Sequence, residues 1–261
     1  MNCRTCFVVM IAMSSASLGV RAKALEPLRE HCSVRASEKA GQLRLRVSEE
    51  ECEESRHCGS SYSEDSMSRL TGVSAGDLAH EGAQLTATLA AEAGRFTCSG
   101  TVHGGDLVGE SLFVPDESFI KRMAQMGVDG LSSEKLQAYA FVNVESGWAL
   151  SLKQTGIQGI DADKLIALRI FNVTPEYIRS ITDLGYALPT ADQLIAMRVQ
   201  GVDAKEVREV RALGFHPDFD ELIQMRIFRI TPEFIRRMQA RDLKDLTIAK
   251  LVQIRIFKLD E

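Results

Sequence analysis

The chain repeats itself. From Val144 it reads VESGWALSLKQTGIQGIDADKLIALRIFN, then VTPEYIRSITDLGYALPTADQLIAMRVQG, then VDAKEVREVRALGFHPDFDELIQMRIFR, then ITPEFIRRMQARDLKDLTIAKLVQIRIFKLDE. Copies begin at Val144, Val173, Val202 and Ile230, at steps of 29, 29 and 28 residues. A weaker copy, PDESFIKRMAQMGVDGLSSEKLQAYAFVN, fills residues 115–143. A fixed period of this length means stacked supersecondary units, each too small to bury its own apolar face. The units are 115–143, 144–172, 173–201, 202–229 and 230–261.

Punctuation within a unit predicts two short helices joined by a turn. Thr174-Pro175-Glu176 is a helix start: a capping hydroxyl, proline at the first helical position and an acid in the first turn. Gly127, Gly156, Gly185 and Gly214 stand where the first helix ends in a left-handed cap, with Asp242 in that place in the last copy. Ser132, Asp161, Thr190, Asp218 and Thr247 open the second helix, and Gly201 closes one of them. Val114-Pro115-Asp116 is the junction into the first unit, with Asp116 as its cap and no long linker before it. The second helix is apolar over most of its surface (Leu165, Ile166, Leu168, Ile170, Phe171 and their equivalents), which marks it as the inner one.

Charged residues also recur in columns. Arg169, Arg198, Arg226 and Arg255 share one position of the second helix. Lys121, Arg179, Arg208 and Arg236 form a column on the first helix, broken by Leu150, and Glu134, Asp163, Asp192 and Asp220 form an acidic one. Two readings fit the arginines. They can pair with acids of neighbouring units or reach helix C-terminal carbonyls. They can instead form a row of forks that holds an anionic or peptide ligand, which makes Arg169, Arg198, Arg226 and Arg255 the candidate ligand surface. Phe119, Trp148, Tyr177 and Phe234 share a further position, read as packing rather than a stacking platform, with Glu206 interrupting them.

The first part of the chain has another character. Residues 1–22 have the make of a secretory signal: Arg4, the apolar run Phe7 to Met13, then small residues with cleavage after Ala22 or Ala24. That run is too short for a membrane span, so an exported protein, periplasmic or extracellular and without a span after processing, is expected. Cys3 and Cys6 fall inside this segment. Cys32, Cys52, Cys58 and Cys98 remain as disulfide candidates in an oxidising compartment, with three connectivities open. A metal site using His31 and His57 beside them matches no zinc spacing. Leu43 to Val47 alternates strictly as a half-buried strand does, and Gln84–Ala91, Arg95–Val102 and Leu107–Val114 are strand candidates separated by Gly94 and by His103-Gly104-Gly105-Asp106. A further short strand is expected between Tyr62 and Val73, and a turn into a short helix at Ser74–Asp77. The acidic run at 48–55 lacks the glycine and ligand spacing of a calcium loop. The fold class is therefore α+β: a small antiparallel β domain over 25–114, then an α-helical repeat domain over 115–261.

The run AGRFTCSGTVHGGDLVGESLFVPDESF, followed by copies of VTPEYIRSITDLGY and ADQLIAMRVQG, resembles exported bacterial modules. Such modules are appended to membrane-embedded M56-type zinc metallopeptidases or stand alone. The likeness covers roughly residues 60–261. It implies a periplasmic accessory or sensing module without catalysis of its own. The peptidase's H-E-x-x-H is absent: the His80-Glu81 pair continues Gly82-Ala83-Gln84.

No cofactor signature or catalytic motif is found. There is no G-x-S-x-G elbow and no phosphate loop. His103-Gly104-Gly105 near Ser99 and Asp106 reads as a hairpin turn, and His216-Pro217-Asp218 as a cap. Net charge is −5, and from Val144 onward 17 basic residues balance 17 acidic ones, which argues against a nucleic-acid partner. The expected function is docking of a protein or peptide on the repeat surface. The alternative is an enzyme whose site forms between the sheet and the repeats from dispersed residues.

Overall fold

The computed structural model describes residues 25–38, 42–48, 59–62, 66–241, 243 and 245–259, and the structural statements below refer to these. The expected signal segment, Cys52, Cys58, the acidic run from 49 onward and Asp242 lie outside them. The fold is α+β, a sheet followed by helices.

Six strands make one antiparallel sheet: β1 (Leu28–Ala36), β2 (Leu43–Ser48), β3 (Gly59–Tyr62), β4 (Gln84–Ala91), β5 (Gly94–His103) and β6 (Asp106–Pro115), in the order β3-β2-β1-β6-β5-β4. Leu43, Leu45 and Val47 face inward, as do Phe96, Cys98, Leu107 and Phe113, and charged residues alternate outward. The β5–β6 connection is the expected two-residue turn, with Gly104 and Gly105 both at positive φ. Two expectations change. No strand runs through the described residues between Tyr62 and Val73: β3 lies before them and ends at Tyr62, and a 3-10 turn (Ser66–Arg69) and a single bridge, Thr71 to Thr88, follow it. Strand β1 has no counterpart in the sequence reading, because Glu30 occupies an inward position and hides the alternation. Its carboxylate is met there by Gln137 Nε2 at 2.6 Å.

The sheet is sharply curled about β6. Neighbouring strands lie about 4.8 Å apart, so strands flanking a third are ordinarily separated by about twice that. Yet Cys32 on β1 and Cys98 on β5, on either side of β6, are joined by a disulfide with a Cα–Cα distance of 6.0 Å. Gly100 and Gly109 face each other where this happens. A Cβ at Gly109 would lie 2.0 Å from the Ser99 carbonyl oxygen, and one at Gly100 the same distance from that of Val108. The missing side chains are what let the backbones close up.

Five helical hairpins follow. The first helices are α1 (Glu117–Gln125), α3 (Ser146–Gln154), α5 (Pro175–Thr182), α7 (Ala204–Ala212) and α9 (Pro232–Gln239). The second are α2 (Ser133–Val142), α4 (Ala162–Ile170), α6 (Ala191–Val199), α8 (Phe219–Ile227) and α10 (Ile248–Ile256). The caps read from sequence are in place. Ser132, Asp161, Thr190, Asp218 and Thr247 each accept a backbone N–H from the first turn of a second helix, and Asp116 and Thr174 do so for first helices. Every second helix ends in a left-handed residue, in turn Asn143, Asn172, Gly201, Arg229 and Lys258. The next residue's N–H reaches back to close the end, as from Val173 to the Leu168 carbonyl at 2.8 Å. Second helices stack in sequence order, α2 on α4, α4 on α6, α6 on α8 and α8 on α10. One apolar cluster runs from the sheet into the fourth unit, and a second holds the fifth.

The sheet closes the first end of the stack by sitting on α2. Phe96 meets Phe141 edge-on at 5.0 Å between centroids. Ser133 Oγ donates to the Glu26 carbonyl at 2.6 Å. Arg69 Nη2 donates to the Ala140 and Phe141 carbonyls at 2.6 and 3.1 Å, closing the α2 C-terminus. At the β4–β5 turn Glu92 accepts from Ser146 N and Oγ at 3.1 and 2.6 Å and from Arg122, bonds that hold its carboxyl below the ordinary glutamate range.

Candidate interaction surface

The four column arginines are joints between units. Arg169 Nε donates to the Val142 carbonyl (3.4 Å), Arg198 Nε to Phe171 (2.8 Å), Arg226 Nε to Gln200 (3.1 Å) and Arg255 Nη2 to Arg229 (3.3 Å). Each acceptor lies at the C-terminal end of the preceding second helix, where orphan carbonyls and the negative end of the dipole favour a cation. In the first unit, which has no second helix before it, Ala140 holds this position, and Arg69 of the sheet module joins Arg169 at the α2 end.

The aromatic column is the seat for these arginines. The guanidinium of Arg169 lies 5.3 Å from the Trp148 ring centroid, that of Arg198 4.8 Å from Tyr177 and that of Arg255 4.0 Å from Phe234. Glu206, the exception in sequence, follows the same logic by other means. It offers Arg226 a carboxylate at 2.6 Å where its neighbours offer a ring. Arg198→Met is therefore expected to lower stability by about 1–2 kcal/mol, since it strips a charged donor from a carbonyl and removes a cation–π contact. Chemical denaturation checks this; an unchanged midpoint would return the arginines to a ligand role.

The other columns tie units together at the surface. Lys135 bridges to Asp163 at 2.9 Å and Lys164 to Asp192 at 2.7 Å, each across one unit boundary. Arg236 reaches Glu209 of the preceding unit at 3.9 Å as well as Glu233 on its own helix, while Arg179 pairs with Glu176 on its own helix. Tyrosines add deeper links: Tyr139 OH to the Ala162 carbonyl (2.8 Å), Tyr177 OH to Val202 (3.1 Å) and Tyr186 OH to Pro217 (2.7 Å). Burial pushes the Tyr177 phenol up to about 12, so it stays a donor at physiological pH.

A different column is left bare. Ile170, Val199, Ile227 and Ile256 occupy one position of α4, α6, α8 and α10 and are 57, 49, 53 and 52% exposed. One turn earlier, Ile166, Ile195 and Ile223 are half-buried beside them and Val252 is buried. In the first unit the same two positions are Phe141 and Gln137, and the sheet covers both. Units two to five thus continue, uncovered, the face that carries the sheet in unit one. β-Branched residues gain nothing on an exposed helix surface by propensity, so their recurrence there calls for another reason. The sequence reading counted them as core, and the second helix is accordingly less enclosed than its composition implied.

An opening of about 500 Å³ lies between α3 and α5, lined by Ser151, Gln154, Thr155, Ile178, Arg179 and Leu188 among others. Its hydroxyls are spent on their own helices: Ser151 Oγ donates to Trp148, Thr155 Oγ1 to Leu152 and Thr182 Oγ1 to Arg179 carbonyls. No histidine lines it. The β5–β6 turn brings His103 Nδ1 to Glu81 at 3.2 Å, fully in solvent reach, and Glu81 also accepts from Gly104 N. Among the described residues no group of three or more His, Cys, Asp or Glu could hold a metal ion, and no helix is long and apolar enough to cross a membrane. No protein-family model, characterised protein or solved structure matches this chain.

Proposed function

We propose that the protein is a non-catalytic exported interaction module that docks a protein or peptide on the second-helix face of its repeat stack. The observation that carries this reading is the bare aliphatic row Ile170, Val199, Ile227 and Ile256 beside the sheet-covered Phe141. A row of stiff apolar side chains held at fixed intervals by stacked helices is a typical repeat-protein binding surface, and it costs little side-chain entropy to order. Export is supported by the Cys32–Cys98 bridge, which persists in oxidising compartments. A role as an accessory to envelope sensing belongs to the same reading and rests on the resemblance noted from sequence.

The test is site-specific photo-cross-linking in intact cells. A cross-linker at Ile227 is expected to trap a discrete partner that a cross-linker at the exposed first-helix residue Arg208 does not. Val199→Asp with Ile227→Asp is expected to abolish that product at a cost of no more than about 2 kcal/mol in stability, because both sites are half-exposed and an acid at a helix C-terminus is mildly unfavourable. Equal products from both positions, or none from Ile227, would refute the docking face.

A further inference from the structure

We infer that the row takes one amphipathic helix of its partner, laid across α4, α6, α8 and α10 with basic residues along one flank; this rests on the docking reading above. The interval between rungs selects the shape. Packed helices lie roughly 8–10 Å apart, so Ile170, Val199, Ile227 and Ile256 recur at about that distance. A helix presents a residue to one side every seventh position, about 10.5 Å on. An extended strand does so every ~6.7 Å, a poorer match to the interval. Three intervals of roughly 8–10 Å span about 24–30 Å, or about 16–20 residues of helix. Each rung is two aliphatic residues deep, Ile166 with Ile170 and Ile195 with Val199, which suits a stripe of large apolar residues such as leucine.

The flanks select the charge. Beside the row, at the N-terminal ends of the second helices, stand Asp163, Asp192, Asp220 and Glu221. The Asp163 and Asp192 side chains remain 79 and 70% exposed despite their lysine bridges. On the opposite flank, at the C-terminal ends, come Phe171 and Phe228, with the exposed Arg229 and Lys258 at the ends of the last two second helices. A helix with lysine or arginine on the side facing the aspartates and an uncharged side facing the phenylalanines complements both. The same acidic flank disfavours an anionic lipid surface.

The probe is a synthetic amphipathic helical peptide of about 20 residues, with leucine at the apolar positions and lysine on one flank, titrated by fluorescence anisotropy against the full chain. Controls are the same peptide with glutamate replacing lysine and a scrambled sequence. The lysine peptide is expected to bind about tenfold tighter than the glutamate peptide. It should gain helicity on binding and lose affinity as salt rises. Asp192→Asn with Asp220→Asn should erase most of the preference. Ile227→Asp should remove binding, and the milder Val199→Ser should weaken it in a chain whose fold is checked separately. Equal binding of the scrambled peptide, or binding untouched by Ile227→Asp and Val199→Ser, overturns the inference. So does sedimentation that shows a wild-type dimer turned monomeric by Ile227→Asp, which would give the row to a second copy. Cross-links through Ile227 in cells with no preference for the lysine peptide would sink the helix but keep the docking face; loss of both would sink both.

Discussion

Phe141→Ala is expected to cost about 3–5 kcal/mol, the usual range for emptying a buried phenylalanine site. The ring is fully buried between α2 and β5 and meets Phe96 edge-on. Few atoms around it can collapse into the space, because the disulfide-pinned sheet lies on one side and the helix stack on the other. A loss of that size is a large part of the 5–15 kcal/mol that typically holds a domain together. The comparison that makes it diagnostic is Ile170→Ala, one unit along at the same repeat position. Ile170 is 57% exposed, and its truncation should change stability by no more than about 0.5 kcal/mol. Hydrogen exchange should show protection falling in β5 and α2 of the Phe141 variant while α8 and α10 keep theirs, since distant repeats are coupled through the units between them. Two equally small costs would mean that the sheet does not lean on α2.

Replacing Cys32 and Cys98 together by alanine is expected to lower stability by about 2–5 kcal/mol. The bridge spans 66 residues of sequence, and closing a loop of that length removes about 4 kcal/mol of chain entropy from the unfolded state in the simple model. Reductant added to the parent protein should reproduce most of the loss. The sheet should be the part that gives way, because the bridge joins β1 to β5 across β6 and holds the curl that covers α2. Peptide mapping of denatured, unreduced protein should recover Cys32 and Cys98 as one linked pair. A loss below about 1 kcal/mol, or free thiols at both positions, would contradict it.

Much of the fold was legible because repetition made local signals redundant. One proline-preceded cap such as Thr174 is weak evidence; caps at the same place in successive units, each followed by the same apolar run, fix the hairpins and their boundaries. The strands were legible where alternation was clean, as in Leu43 to Val47, and hidden where a charged residue faces inward, as at Glu30 in β1. Pairing Cys32 with Cys98 was beyond the sequence, since three connectivities fit and the approach depends on the Gly100–Gly109 contact bending the sheet. The arginine column was visible as a column, with its two uses left open. Distances to the preceding unit's carbonyls and to Trp148, Tyr177 and Phe234 show the joint, and the same geometry explains Glu206, which no pattern explained. The aliphatic row was present in plain letters but counted as core, because helical periodicity says which residues share a face and nothing about whether that face is covered.

The sequence by itself determined the unit, its two helices, their caps, their order along the chain and the change to strands before residue 115. These are decided within some 30 residues, by backbone preference, capping groups and apolar spacing. Tertiary structure alone decided which cysteines meet, what each arginine holds and which stretch of the second-helix face stays open. Those depend on where distant segments land. The sheet, placed by a disulfide and a pair of glycines, covers Phe141 in the first unit and stops short of Ile170 in the next.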